Sequence, residues 1–181
     1  MLVLRETVHS RLNLELACVP EIIGLAVATK PDQATLVPER REEVTTEGGL
    51  DVVGCMDSVR RSVDALREAG IRVSLFLDPD QRQLAAAADL PIDAVELHTG
   101  QYALANDGAR DDALQQLADA ADTSRKRGWA LHAGHGLNYW NVGPVAALEN
   151  MFELNIGHAI IARAVLVGMQ QAVREMKQLV A

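Results

Sequence analysis

Cysteine is scarce. The chain has two, Cys18 and Cys55, in neither a metal-ligand spacing nor a disulfide framework. Cys18 falls in an apolar run and reads as a buried thiol. Such usage fits a reducing, cytoplasmic compartment. Basic charge is also short, since the formal net charge is −8. That excludes a general basic surface for nucleic acid or anionic membrane. Any phosphate must be held locally, by backbone N–H groups and a few side chains. No apolar run approaches the ~18 residues that span a bilayer. The N-terminus, Met-Leu-Val-Leu-Arg-Glu, lacks signal-peptide anatomy. No Gly-x-Gly-x-x-Gly follows any strand, which argues against a dinucleotide-binding sheet.

What is present is ordinary for a globular protein: 181 residues, 49% hydrophobic and 23% charged. One domain over 1–181 accommodates this. Apolar periodicity predicts strands at 12–19, 33–38, 72–77, 93–98, 129–133 and 152–156. Helices are predicted over 20–30, 56–69, 81–88, 110–127 and 142–148. A last helix runs from 158 to the C-terminus and buries Val165, Leu166, Met169, Val173 and Met176. Residues 1–10 read as the tail of a helix, and 39–49 as a long polar loop. Strands alternating with helices imply βαβ units and a parallel sheet. Polar residues near strand C-terminal ends favour a (β/α)8 TIM barrel, whose chemistry sits on that rim. About six of the eight βα units are present.

Chemistry-bearing residues gather at those strand ends. Glu153-Leu-Asn-Ile-Gly-His158 reads as a strand, then Gly157-His158, then a helix whose N-terminus favours anions. His132-Ala-Gly-His-Gly-Leu137 forms a second Gly/His-rich turn. Four of the five histidines, His98, His132, His135 and His158, lie at or just beyond a strand end. With Glu15 and Glu96, which point inward by strand parity, they make a rim suited to proton shuttling. An alternative pairs either carboxylate with an arginine such as Arg11 or Arg72. A second reading has His132-x-x-His135 hold a metal, with Glu15 or Glu96 completing the site, but the spacing matches neither His-x-His nor His-Glu-x-x-His, so no metal is assigned. Lysine chemistry has no candidate. Lys30, Lys126 and Lys177 all sit in helices or their ends, so any imine must come from a substrate amine.

At these residues the sequence resembles the pyridoxine 5′-phosphate synthase family. The resemblance is carried by Arg11-Leu-Asn-Leu-Glu-Leu16, by the run from Leu36 to Asp51, and by Val73-Ser-Leu-Phe76. Glu96-Leu-His-Thr-Gly100, Ala133-Gly-His-Gly-Leu137 and Glu153-Leu-Asn-Ile-Gly-His-Ala-Ile-Ile161 complete it. It implies a (β/α)8 barrel assembled as a homo-octamer, with no cofactor. The implied reaction condenses 3-amino-2-oxopropyl phosphate with 1-deoxy-D-xylulose 5-phosphate. Its products are pyridoxine 5′-phosphate, inorganic phosphate and water. By this resemblance Glu15 matches a catalytic acid/base, His135 the proton donor and Glu96 a transition-state stabiliser. Thr45 would bind the phosphate of the deoxyxylulose substrate. Gly136, Gly157 and His158 would bind the amino-oxopropyl phosphate.

The chain departs from the family at its start. Family members begin about 60 residues earlier, with two more βα units. Those units end in Asn-x-Asp-His and His-x-Arg strand ends. The expectation is therefore two open sheet edges, at the first and last strands, in a chain prone to aggregate and inactive by itself. Position 162 is Ala where the family pattern leads one to expect Gly. Two other readings use the same rim: a phosphate-binding barrel isomerase or metal hydrolase, and a non-catalytic remnant.

Overall fold

Side chains along a strand alternate between its faces, so a parallel sheet covered by helices needs an apolar row under them. The computed structural model describes residues 1–39 and 48–180 and has this arrangement. Its strands are β1 (Asn13–Ala17), β2 (Gln33–Val37), β3 (Arg72–Leu77), β4 (Ala94–His98), β5 (Ala130–Gly134) and β6 (Met151–Asn155). All are parallel, in the order β1-β2-β3-β4-β5-β6. The helices are α1 (Leu2–Thr7), α2 (Pro20–Thr29), α3 (Val52–Glu68), α4 (Gln81–Ala87), α5 (Gly100–Leu104), α6 (Asp107–Lys126), α7 (Val142–Ala146), α8 (His158–Val167) and α9 (Met169–Val180).

Leu16, Leu36, Leu75, Leu97 and Leu131 point to the helical side. They join Val59, Val63 and Leu66 of α3, Leu84 of α4 and Leu117 of α6 in one core. The opposite parity sends Glu15, Thr35, Ser74, Glu96 and His132 to the inner face. Thr35 donates to Asn13 across β1 and β2 there, at 3.1 Å. A bulge opposite Leu131 and His132 shifts the β6 register, so Glu153 pairs with His132. The sheet curls until its two edges face each other. Arg11, just before β1, forms an ion pair with Glu153 of β6, and its guanidinium lies 5.2 Å from the Phe152 ring centroid. The fold is thus α/β of TIM-barrel type, with six of the eight units and two edge strands among the described residues.

Several expectations change. The last helix is two helices, broken at Gly168, whose φ of 83° ends α8. Met176 is buried, but Val165 and Leu166 are about four-fifths exposed, and Met169 and Val173 are also exposed. The apolar spacing of 165–176 runs across a bend, so the two halves present different faces. No residue of α8 is buried, whereas α9 buries Ala172 and Met176. Between 99 and 109, where the sequence predicts neither strand nor helix, α5 forms and buries Tyr102, whose hydroxyl donates to the Asn141 carbonyl at 2.8 Å. Helix α3 starts at Val52 because Asp51 caps it, accepting from the Gly54 amide. Cys18 is only half-buried, though its surroundings still push the thiol pKa up, and Cys55 is exposed. Among the described residues no helix is long and apolar enough to cross a membrane.

These placements predict unequal sensitivities. Leu75→Ala, at a fully buried site, is expected to lower the unfolding free energy by about 2–5 kcal/mol. Val165→Ala should change it by no more than about 0.5 kcal/mol. Urea denaturation of both variants measures this, and equal losses would contradict the exposure of α8.

Candidate active site

One cleft of about 1030 Å³ opens on the inner face. Glu15, Glu96, His135, Gly136, Gly157 and His158 all line it, with Arg11, Asn13, Asn138, Glu153 and Asn155. The elements that place these residues are β1, β4, the turn after β5, and the passage from β6 into α8. Glu15 is exposed to the cleft, whereas Glu96 is 2% exposed.

Glu96 can lie there because position 134 has no side chain. A Cβ on Gly134 would fall 2.4 Å from Glu96 Oε1 and 3.2 Å from the Asn155 Cβ. Burial is the main force on this carboxyl. The Asn155 amide and His98 oppose it, while Glu15 and Glu153 add to it, and its pKa rises to about 7. The Asn155 amide tempers the charge without a full hydrogen bond. Asn155 Nδ2 and Glu96 Oε2 are both buried and lack a partner of good geometry. Arg11 does not neutralise Glu96, since its ion pair is with Glu153.

His135 sits on strained backbone. Its φ is 77°, and Gly136 after it also has φ 77°. A left-handed β-substituted residue costs about 1–2 kcal/mol and persists only where its surroundings fix it. Thr99 supplies that fixation. Its hydroxyl bonds the Gly134 and His135 carbonyls, and its amide bonds Gly134 again at 2.8 Å. The His135 ring lies 4.7 Å from Phe76 and 5.2 Å, edge to face, from His98. His98 in turn meets Asp78 Oδ1 through Nδ1 at 2.8 Å.

Gly157 caps α8 with φ −105°, and a Cβ there would meet nothing within 4 Å. The first amides of α8 therefore open onto the cleft beside His158. His132 does not belong to the rim. It is the third residue of β5, fully buried, stacked 5.7 Å from Phe152, and 3.9 Å from Glu153. Burial holds its pKa low, and nearby Arg11 and Arg72 assist against Glu153. The strand runs one residue past its expected end, which puts His132 a layer beneath the rim. Thr45 lies outside the described residues. Among the described residues no three His, Cys, Asp or Glu gather as a metal would require.

Three residues near this site escaped sequence reading. Asn155 shares strand parity with Glu153, a signal that was available. Thr99 follows the strand predicted over 93–98 and has no role there in the sequence pattern. Asp78-Pro-Asp80 fits a helix-capping pattern with either carboxylate, and only Asp80 acts as the cap, accepting from the Arg82 amide.

Comparison with known proteins bears on this geometry. The family model described as "Pyridoxal phosphate biosynthesis protein PdxJ" matches residues 1–181. A pyridoxine 5′-phosphate synthase from Rhodopirellula baltica is 55% identical over 174 residues, covering 96% of this chain and 71% of the relative. One from Synechococcus sp. (strain JA-2-3B'a(2-13)) is 56% identical over 176 residues, covering 97% and 74%. The chain belongs to the pyridoxine 5′-phosphate synthase family. Solved structures support the fold alone. The Amycolatopsis orientalis BexX/CysO complex aligns with a TM-score of 0.57 at 15% identity, covering 88% of this chain and 62% of that one. A xylose isomerase domain protein from Planctomyces limnophilus gives 0.54 at 12% identity, covering 94% and 71%. In this synthase-family chain the segments around Glu96, His135 and Gly157 converge on the cleft.

The buried Glu96 carboxyl has a stability consequence. Its folded pKa of about 7 exceeds the ordinary 4.5, so the fold holds this proton more tightly than the unfolded chain does. The contribution is fully favourable below about pH 4.5 and is lost as pH rises through about 7. Glu96→Gln removes that dependence. Relative to the parent it is expected to gain up to about 3 kcal/mol between pH 5 and pH 8. Thermal melts at the two pH values measure the difference. An unchanged gap would mean that Glu96 is ionised at neutral pH.

Proposed function

We propose that this chain provides the catalytic cleft of pyridoxine 5′-phosphate synthesis, condensing 3-amino-2-oxopropyl phosphate with 1-deoxy-D-xylulose 5-phosphate. The observation that carries the reading is the single cleft shared by Glu15, Glu96, His135 and the N-terminus of α8. An aminoketone and a ketone need proton transfers more than anything else: loss of water on imine formation, then enolisations and ring closure. A solvent-exposed Glu15 suits a general base. His135, held at a fixed angle, suits proton donation to a departing oxygen. Glu96, near its pKa at neutral pH, suits a neutral acid that hydrogen-bonds a developing oxyanion. The substrate amine forms the imine, so no lysine or cofactor is required.

The amino-oxopropyl phosphate would sit at Gly136, Gly157 and His158, where the first α8 amides and the helix dipole favour an anion. Thr45 would receive the phosphate of the deoxyxylulose substrate. Residues 1–181 act as one domain in this reading, in the cytoplasm and as a homo-oligomer of the octameric kind implied by the family.

The assay supplies both phosphorylated substrates and quantifies pyridoxine 5′-phosphate. It is run on the chain as written and on the chain joined to the two N-terminal βα units of a relative. Product from either form supports the reading, and product from neither overturns it. In the active form, Glu15→Gln and His135→Asn are each expected to lower kcat by about 10²-fold or more. Inorganic phosphate soaked into crystals should bind at Gly136 and the start of α8. Density elsewhere on the rim alone would remove the phosphate assignment.

A further inference from the structure

The inner rim carries a titratable pair that the reaction above does not use. His98, the last residue of β4, is 6% exposed and does not line the cleft. Its Nδ1 meets Asp78 Oδ1 at 2.8 Å, and Asp78 stands just beyond the end of β3. Burial works to raise the Asp78 pKa. The bond to His98, the Gly49 amide and the charge of His98 outweigh it, so the pKa falls below the ordinary carboxylate range. An ionised carboxylate only accepts, so His98 must carry its proton on Nδ1. The other side of the ring lies against the turn into α5, where only a glycine fits: a Cβ on Gly100 would fall 2.5 Å from His98 Nε2.

Beyond His98 stands His135. The two rings meet edge to face at 86° with centroids 5.2 Å apart, and Phe76 touches both, at 5.2 Å and 4.7 Å. The His135 ring is therefore gripped by two rings, one of which is itself clamped by a carboxylate. Its backbone is held in a left-handed conformation by Thr99, the neighbour of His98 in sequence. A residue on strained backbone relaxes unless neighbours fix it. Here β3, β4 and the residue after β4 contribute those neighbours, while the turn after β5 contributes the histidine.

We propose that Asp78 and His98 form a positioning dyad that fixes the angle at which His135 presents its ring to the cleft. Neither residue touches substrate. The role rests on the reading of His135 as the proton donor. The clamp itself, Asp78 holding the His98 tautomer, is independent of that reading.

Two kinds of measurement separate these levels. In ¹⁵N spectra of histidine-labelled protein, His98 is expected to report a proton on Nδ1, and Asp78→Ala to mix its tautomers. A parent His98 protonated on Nε2 alone would overturn the clamp whatever the activity. In the active form found by the synthase assay, Asp78→Ala and His98→Phe are each expected to lower kcat about 10- to 100-fold. KM for both substrates should stay within about threefold, because substrate contacts are intact. His98→Phe keeps a ring of similar shape against Phe76 and His135, so it separates the hydrogen bond from packing. The double variant should be no slower than the slower single one, since both changes break one device. Multiplying effects would mean that Asp78 acts separately, through its bond to the Gly49 amide. Unaltered kcat in His98→Phe would leave His98 a packing residue. Either outcome overturns the dyad. If no form makes product, the synthase reading fails and the tautomer measurement still decides the clamp.

Discussion

A parallel strand buried on both faces has two rows of side chains and two different solvents to satisfy. The helical side accepts only apolar groups, and Leu16, Leu36, Leu75, Leu97 and Leu131 fill it. Every polar residue of those strands is consequently driven to the axis. That constraint concentrates carboxylates and imidazoles in a small, poorly hydrated volume, where burial is the main force moving the pKa of Glu96 to about 7. The ion pair between Arg11 and Glu153 follows from the same crowding, as does the neutral burial of His132 against Phe152.

The second layer of organisation is the turn after β5. Gly134 leaves space for the Glu96 carboxylate, and the next two residues adopt left-handed backbone. One short segment thus makes room for a carboxyl group and aims an imidazole. Its strain is balanced by Thr99, so β4 and β5 must be in register before His135 can be presented at all. The passage from β6 into α8 has no such strain. Gly157 has a negative φ of −105°, and its missing side chain leaves open space beside the first helical amides.

Much of this was legible beforehand. Period-two alternation located all six strands to within a residue or two, because each strand's apolar row must face the helices. Parity alone put Glu15 and Glu96 on the inner face. The signal failed where two elements share one spacing. Residues 165–176 keep apolar intervals of three and four on both sides of Gly168, so the periodicity masks the helix stop that this glycine makes. His132 failed differently: one extra residue on β5 lowered it from the rim into the interior. Asp78 was hidden because Asp-Pro-Asp before a helix satisfies a capping pattern with either carboxylate.

The sequence by itself determined the class of fold, the residue types at the strand ends and the family to which the chain belongs. Those depend on alternation and on motifs a few residues long, which are local. Only the tertiary structure decided who meets whom: that Arg11 reaches Glu153 and not Glu96, that Asp78 reaches His98, and that Asn155 rests beside Glu96. These contacts join residues 20 to 142 positions apart. They depend on sheet register, curl and bulge, which arise only when all six strands pack under their helices.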